Sequence, residues 1–151
     1  MVSRKRISIL VSILLLSMIA IPVLGNDAGT GGDAGNNTSS ATSLPATNGT
    51  YYGNLTATTD DSDYYLINMS SNTGIAVQIT YPSSTDFDLA LLNSGGGYID
   101  LSTSSGTTDD VTSNGTSVGG SSVYIWVDRY SGSGQYTMQI WIFSTGSSGG
   151  G

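Results

Sequence analysis

The chain has 151 residues with no cysteine, histidine or glutamate, and beyond residue 25 a single basic residue, Arg129, stands against eleven aspartates, a net charge of −10 for residues 26–151. One arginine cannot build a groove for DNA or RNA, and the same balance disfavours anionic lipid surfaces. Without His or Cys there is no Ser-His-Asp or Cys-His catalytic set and no conventional zinc site.

Met1-Val2-Ser3-Arg4-Lys5-Arg6 is a short basic head, and Ile7 to Leu24 follows as an uncharged apolar run. Val23 and Gly25 are small enough for the −3 and −1 positions of a signal-peptidase site, so residues 1–25 are expected to be an export signal cut after Gly25. The rival reading is an uncleaved anchor, for which the 18-residue run is at the lower limit of a bilayer span. Cleavage would leave a secreted or cell-surface chain with no stable membrane insertion.

Residues 26–48 are rich in Gly, Asn, Ala, Ser and Thr and read as a flexible arm. From Gly49 onward short runs of period two alternate with Gly, Asn, Asp and Ser, the pattern of an all-β domain. Strands are expected at 49–57, 63–69, 74–81, 86–93, 98–102, 109–113, 122–128 and 135–143. Ile75, Val77, Ile79, Leu89, Leu91, Val123, Ile125, Val127, Met138 and Ile140 should face inward, with Phe87, Tyr136 and Ile142 in the same phase. The expected fold over 49–143 is a two-sheet antiparallel, jelly-roll-like β-sandwich. Residues 144–151 are a Gly/Ser tail.

With only Asp available for carboxylate chemistry, and few apolar neighbours in sequence to raise its pKa, the chain is expected not to be an enzyme. The acidic clusters instead suit Ca²⁺, which takes six to eight oxygen ligands. Asp27, Asp33 and Asn36 lie in a glycine-rich stretch that can wrap an ion, and Asp60, Asp61 and Asp63 form a second group in the turn before a strand. The same residue types also serve as solvated turn residues, and the two readings stand side by side. Asp86 and Asp88 flank Phe87 in a strand and are expected on the wet face, as solvated or edge-protecting charge.

N-x-[ST] sequons occur at Asn36, Asn37, Asn48, Asn54, Asn68 and Asn114, candidate glycosylation sites in an exported chain. Asn54 is out of phase with Leu55 and is expected to face solvent. Tyr124 and Trp126, with Trp141 and Phe143 on the next strand, would form one exposed aromatic cluster if those strands pair as a hairpin. Such a surface suits a protein or polysaccharide partner, unless a loop or the residue 26–48 arm covers it.

Three stretches resemble the bacterial and archaeal pre-peptidase C-terminal domain family. They are Gly53-Asn54-Leu55 followed by Asp60-Asp61-Ser62-Asp63-Tyr64-Tyr65-Leu66; Asp86-Phe87-Asp88-Leu89-Ala90-Leu91-Leu92; and Tyr124-Ile125-Trp126-Val127 with the later Gly134-Gln135-Tyr136-Thr137-Met138. The resemblance implies a jelly-roll-like accessory module of secreted enzymes, itself without catalysis. In some domains of the family calcium binds where an N-terminal linker folds onto a D-x-x-D turn, the spacing of Asp60 and Asp63. This chain departs from the family in carrying no peptidase domain. Two other readings remain from sequence: a structural subunit of an extracellular filament or matrix, and a fragment of a larger secreted enzyme.

Overall fold

The structure is a computed structural model that describes residues 26–113 and 118–146. The export signal, Asn114 and the last five residues of the tail therefore lie outside the described residues. After a short 3-10 turn at Asp27–Gly29 come nine strands: β1 (Thr42–Leu44), β2 (Gly49–Leu55), β3 (Ser62–Asn68), β4 (Thr73–Thr80), β5 (Asp86–Leu92), β6 (Tyr98–Ser102), β7 (Thr108–Thr112), β8 (Ser122–Ser131) and β9 (Gly134–Ser144). They form a five-stranded sheet in the order β1-β3-β8-β5-β6 and a four-stranded sheet in the order β2-β9-β4-β7. All pairs are antiparallel except β1 with β3.

The period-two pattern produces this arrangement directly. Tyr65 and Ile67 of β3, Ile75, Val77 and Ile79 of β4, Phe87, Leu89 and Leu91 of β5, Val123, Ile125 and Val127 of β8, and Tyr136, Met138 and Ile140 of β9 are all buried and share one core. Each set comes from one face of its strand, and the two sheets bury those faces against each other. Ile142 is only half-buried, at the margin of the core.

Two expectations are corrected. The 26–48 segment, read as a flexible arm from its composition, packs on the sandwich. Asp27 and Ala34 are buried in it, and Thr42–Leu44 adds an edge strand beside β3. The strands β8 and β9 do not pair as a hairpin, because the chain crosses from one sheet to the other between them. Gly132 makes that corner with a φ of +75°, and a Cβ there would lie 2.7 Å from the Ser84 carbonyl oxygen. Only glycine takes such a bend at low cost. Trp126 and Trp141 consequently lie on separate sheets.

Candidate functional site

At one end of the sandwich the N-terminal arm closes over the turn between β2 and β3. The backbone curls tightly there: Ala28 has a φ of +52°, followed by Gly29 at +73° and Gly31 at +87°. A non-glycine residue in this left-handed region is strained, and strain of this kind collects at ligand clamps. The curl turns the Asp27 carboxylate inward. Its Oδ1 accepts the Asn54 N–H at 2.9 Å and its Oδ2 the Ala34 N–H at 3.0 Å, so one side chain staples the arm to β2. A second tie follows, in which the Tyr64 N–H donates to the Gly35 carbonyl at 2.8 Å.

Asp63 enters from β3, in phase with Tyr65 and Ile67, and is fully buried. The Tyr136 hydroxyl donates to its Oδ2 at 2.5 Å, and Tyr65 and Tyr136 join hydroxyl to hydroxyl at 2.7 Å. Gly53 makes room for this relay, since a Cβ there would lie 2.3 Å from the Tyr136 phenol. The other oxygen of Asp63, Oδ1, is buried without a hydrogen-bond partner, and so is Oδ1 of Asp60. One carboxylate oxygen each of Asp27, Asp33 and Asp63 lies within 4.8 Å of the others.

The electrostatics follow from that crowding. Burial pushes the Asp63 carboxyl up to about 9, with the charge of Asp27 adding to it and the Tyr136 hydrogen bond opposing. Burial, then the charges of Asp33 and Asp27, raise Asp60 to about 7. Burial raises Asp27 to about 6 against the lowering effect of the Ala34 N–H. An orphaned buried oxygen and several unneutralised carboxylates are costly unless a cation or protons complete them. The donor set contains oxygen and no nitrogen or sulfur, the chemistry of a hard cation such as Ca²⁺.

Of the five residues the sequence suggested as ligands, the structure brings Asp27, Asp33 and Asp63 within 4.8 Å of one another and places Asp60 where it feels the charges of Asp33 and Asp27. Asn36 is exposed on the loop beyond Gly35. Sequence reasoning missed Tyr136, Tyr65 and Gly53 as the support of this site. Their inward phase was readable, but not the meeting of the two hydroxyls.

The sequons separate by exposure. Asn36, Asn37, Asn48 and Asn68 are exposed. Asn54, expected on the solvent side of β2, is 7% exposed because the arm covers it, a long-range contact that strand phase does not reveal.

On the outer face of the five-stranded sheet, Tyr64 stacks on Trp126 at 5.5 Å and Tyr98 flanks Trp126 at 6.5 Å. Tyr124 is half-buried on the same strand. Trp141, 42% exposed, lies beside an open recess on the other sheet with Asn48, Thr50 and Gln139. The single cluster that a β8–β9 hairpin would have formed is thus two separate surfaces.

No protein-family model and no curated protein sequence matches the chain. Among solved structures the chain is similar to the pre-peptidase C-terminal domain of collagenase from Bacillus anthracis, with a TM-score of 0.55 and 18% identity over 66% of this chain and 92% of that one. It is also similar to PliG of Aeromonas hydrophila, a periplasmic lysozyme inhibitor of g-type lysozyme, with a TM-score of 0.49, 12% identity and coverage of 68% and 96%. A third is the Yersinia pseudotuberculosis-derived mitogen, with a TM-score of 0.48, 15% identity and coverage of 68% and 91%. At these identities the likeness is one of fold. Among the described residues no helix is long and apolar enough to cross a membrane.

Proposed function

We propose that the chain is an exported, non-catalytic binding module of the pre-peptidase C-terminal type, whose N-terminal arm is locked by Ca²⁺ held between Asp27, Asp33, Asp60 and Asp63. The observation that carries this reading is Asp63, fully buried with one oxygen unpartnered and two further carboxylates beside it. The ion would neutralise carboxylates that otherwise repel one another, and so hold the arm against β2 and β3. Export is supported by the basic head and apolar run of residues 1–25, and a surface role by the four exposed sequons. The likeness to a collagenase accessory domain supports a role without chemistry.

Thermal melting with and without calcium tests the proposal. A ligand bound only by the folded state stabilises by about 2.7 kcal/mol at one hundred times its Kd. Asp33 is exposed and its charge acts against Asp27, Asp60 and Asp63, so Asp33→Asn should leave the calcium-free melting temperature unchanged or raise it, and weaken the calcium response. An equal calcium response in the wild type and Asp33→Asn would remove Asp33 from the site, and no response at millimolar calcium in either would reject the metal.

A further inference from the structure

The outer face of the five-stranded sheet carries a groove that the calcium reading leaves unused. Asp88, Ala90, Tyr98, Leu101, Thr103, Trp126 and Asp128 enclose a recess of about 150 Å³. A second recess, lined by Asp86, Asp88, Thr103, Ser105 and Tyr130, shares Asp88 and Thr103 with it, so the two lie side by side. The register explains the grouping: Asp88 pairs with Asp128 and Ala90 with Trp126 across β5 and β8, and small Ala90 leaves space beneath the aromatic rings. Asp86 and Asp88, expected on the wet face as solvated or edge-protecting charge, are half-buried in this groove.

The groove is acidic, and among the described residues that line it there is no cation. The charge effects felt by Asp88 come from Asp86, Asp109 and Asp128, which together with burial raise its pKa. The guanidinium of Arg129 donates instead to the Gly132 carbonyl at 3.3 Å. A metal ion does not suit the place, since among the described residues the carboxylates that converge to within 4.8 Å are those of Asp27, Asp33 and Asp63. A neutral sugar meets the site only in part: its hydroxyls can donate to the carboxylates and its ring can stack on Trp126, but uncharged hydroxyls do not relieve repulsion among three carboxylates. An organic cation answers each feature: its charge meets the carboxylates and its apolar stem lies against Trp126 and Tyr98.

From this charge complementarity we infer that the groove docks lysine or arginine side chains of a basic partner protein, one in the recess beside Trp126 and a second beside Tyr130. This names the partner for the binding-module reading and rests on it, but not on whether calcium binds at the other end of the sandwich.

The test is fluorescence anisotropy of a labelled peptide, Lys-Ser-Lys-Ser-Lys-Ser, titrated with the full chain in 2 mM calcium chloride. The same peptide with acetylated lysines and a neutral oligosaccharide, chitotetraose carrying the same fluorescent label, are run beside it. The Asp88 carboxylate accepts no hydrogen bond among the described residues, so Asp88→Asn removes charge without breaking the fold. It should weaken peptide binding about tenfold, the loss of one charge-assisted contact. Asp110→Asn makes the same change in net charge from an exposed position on β7 of the other sheet and should leave binding within about twofold. Acetylation should abolish binding. Equal losses in the two variants, or binding of the acetylated peptide, overturn the docking site. Binding of chitotetraose without the lysine peptide overturns the cationic partner and leaves the module reading standing, whereas silence with both probes counts against both.

Discussion

Asp63 and Asp109 are equally buried, at 0% and 1% exposure, and their surroundings are opposite. Asp109, on β7, takes donors from three directions. The Tyr81 hydroxyl reaches its Oδ2, and the Ser102 hydroxyl and the Ser104 N–H, the latter at 2.9 Å, reach its Oδ1. Those donors are neutral, and they tie β6 and β7 of opposite sheets to the end of β4. Asp63 has one donor, Tyr136, an orphaned second oxygen, and carboxylates for neighbours. A buried carboxylate becomes part of the fold when neutral donors surround it. When other carboxylates surround it, the site is complete only with protons or a cation. Burial alone does not separate a structural aspartate from a ligand; the partners do.

Changing pH without calcium gives the largest expected effect. An acid whose pKa is higher in the folded chain than in the unfolded one holds its proton more tightly when folded, so low pH favours the folded state. Asp27, Asp60 and Asp63 are raised from 3.8 to about 6, 7 and 9. Their contribution is therefore fully present below about pH 4 and is lost as pH rises toward 9. The loss is on the order of a few kcal/mol, enough to release the arm at alkaline pH. Calcium should flatten or reverse this trend, because it needs the carboxylates ionised. Urea unfolding at pH 5 and pH 8, in chelator and in calcium, measures both slopes. A calcium-free chain that is more stable at pH 8 than at pH 5 would break the contrast.

Substitution sharpens it. Asp109→Ala should cost about 2 kcal/mol at any calcium concentration, because it strands the Tyr81, Ser102 and Ser104 donors. Asp63→Asn at pH 8 in chelator should be close to neutral or stabilising, because a carboxyl with a pKa of about 9 is already mostly protonated there and the amide oxygen still accepts from Tyr136. Denaturant midpoints give both values, and equal losses would mean that the two aspartates are the same kind of residue. A smaller effect is expected at Gly53. Gly53→Ala pushes the Tyr136 phenol from Asp63 and should cost about 1 kcal/mol, with weaker calcium binding seen by calorimetry.

Much of this was legible in the sequence because it is local. The strands from β2 to β9 follow from alternation, and all ten residues assigned to the interior, from Ile75 to Ile140, are buried. The aspartates were recognisable as two separate groups, Asp27 and Asp33 with Asn36 and Asp60 with Asp63, and only the family resemblance joined the two. What escaped is what distance in the chain conceals. The three residues of β1 are too few to show a period, and only Leu44 among them is buried. Asn54 is in the phase expected for solvent, and an arm 27 residues earlier covers it. The turn between β8 and β9 has the residues of a hairpin, and local turn chemistry does not tell a hairpin from a corner that changes sheet. That difference moved Trp141 away from Trp126 and left Trp126 beside Tyr64 and Tyr98.

The central claim is that the carboxylates around Asp63 are completed by a cation, and calorimetric titration of the calcium-free chain with calcium chloride at pH 8 tests it most directly. The account predicts one ion per chain in the wild type, proton release on binding, and no measurable binding in Asp63→Asn while Asp109→Asn still binds. An absence of binding to the wild type at millimolar calcium, or binding that Asp63→Asn leaves unchanged, would contradict it.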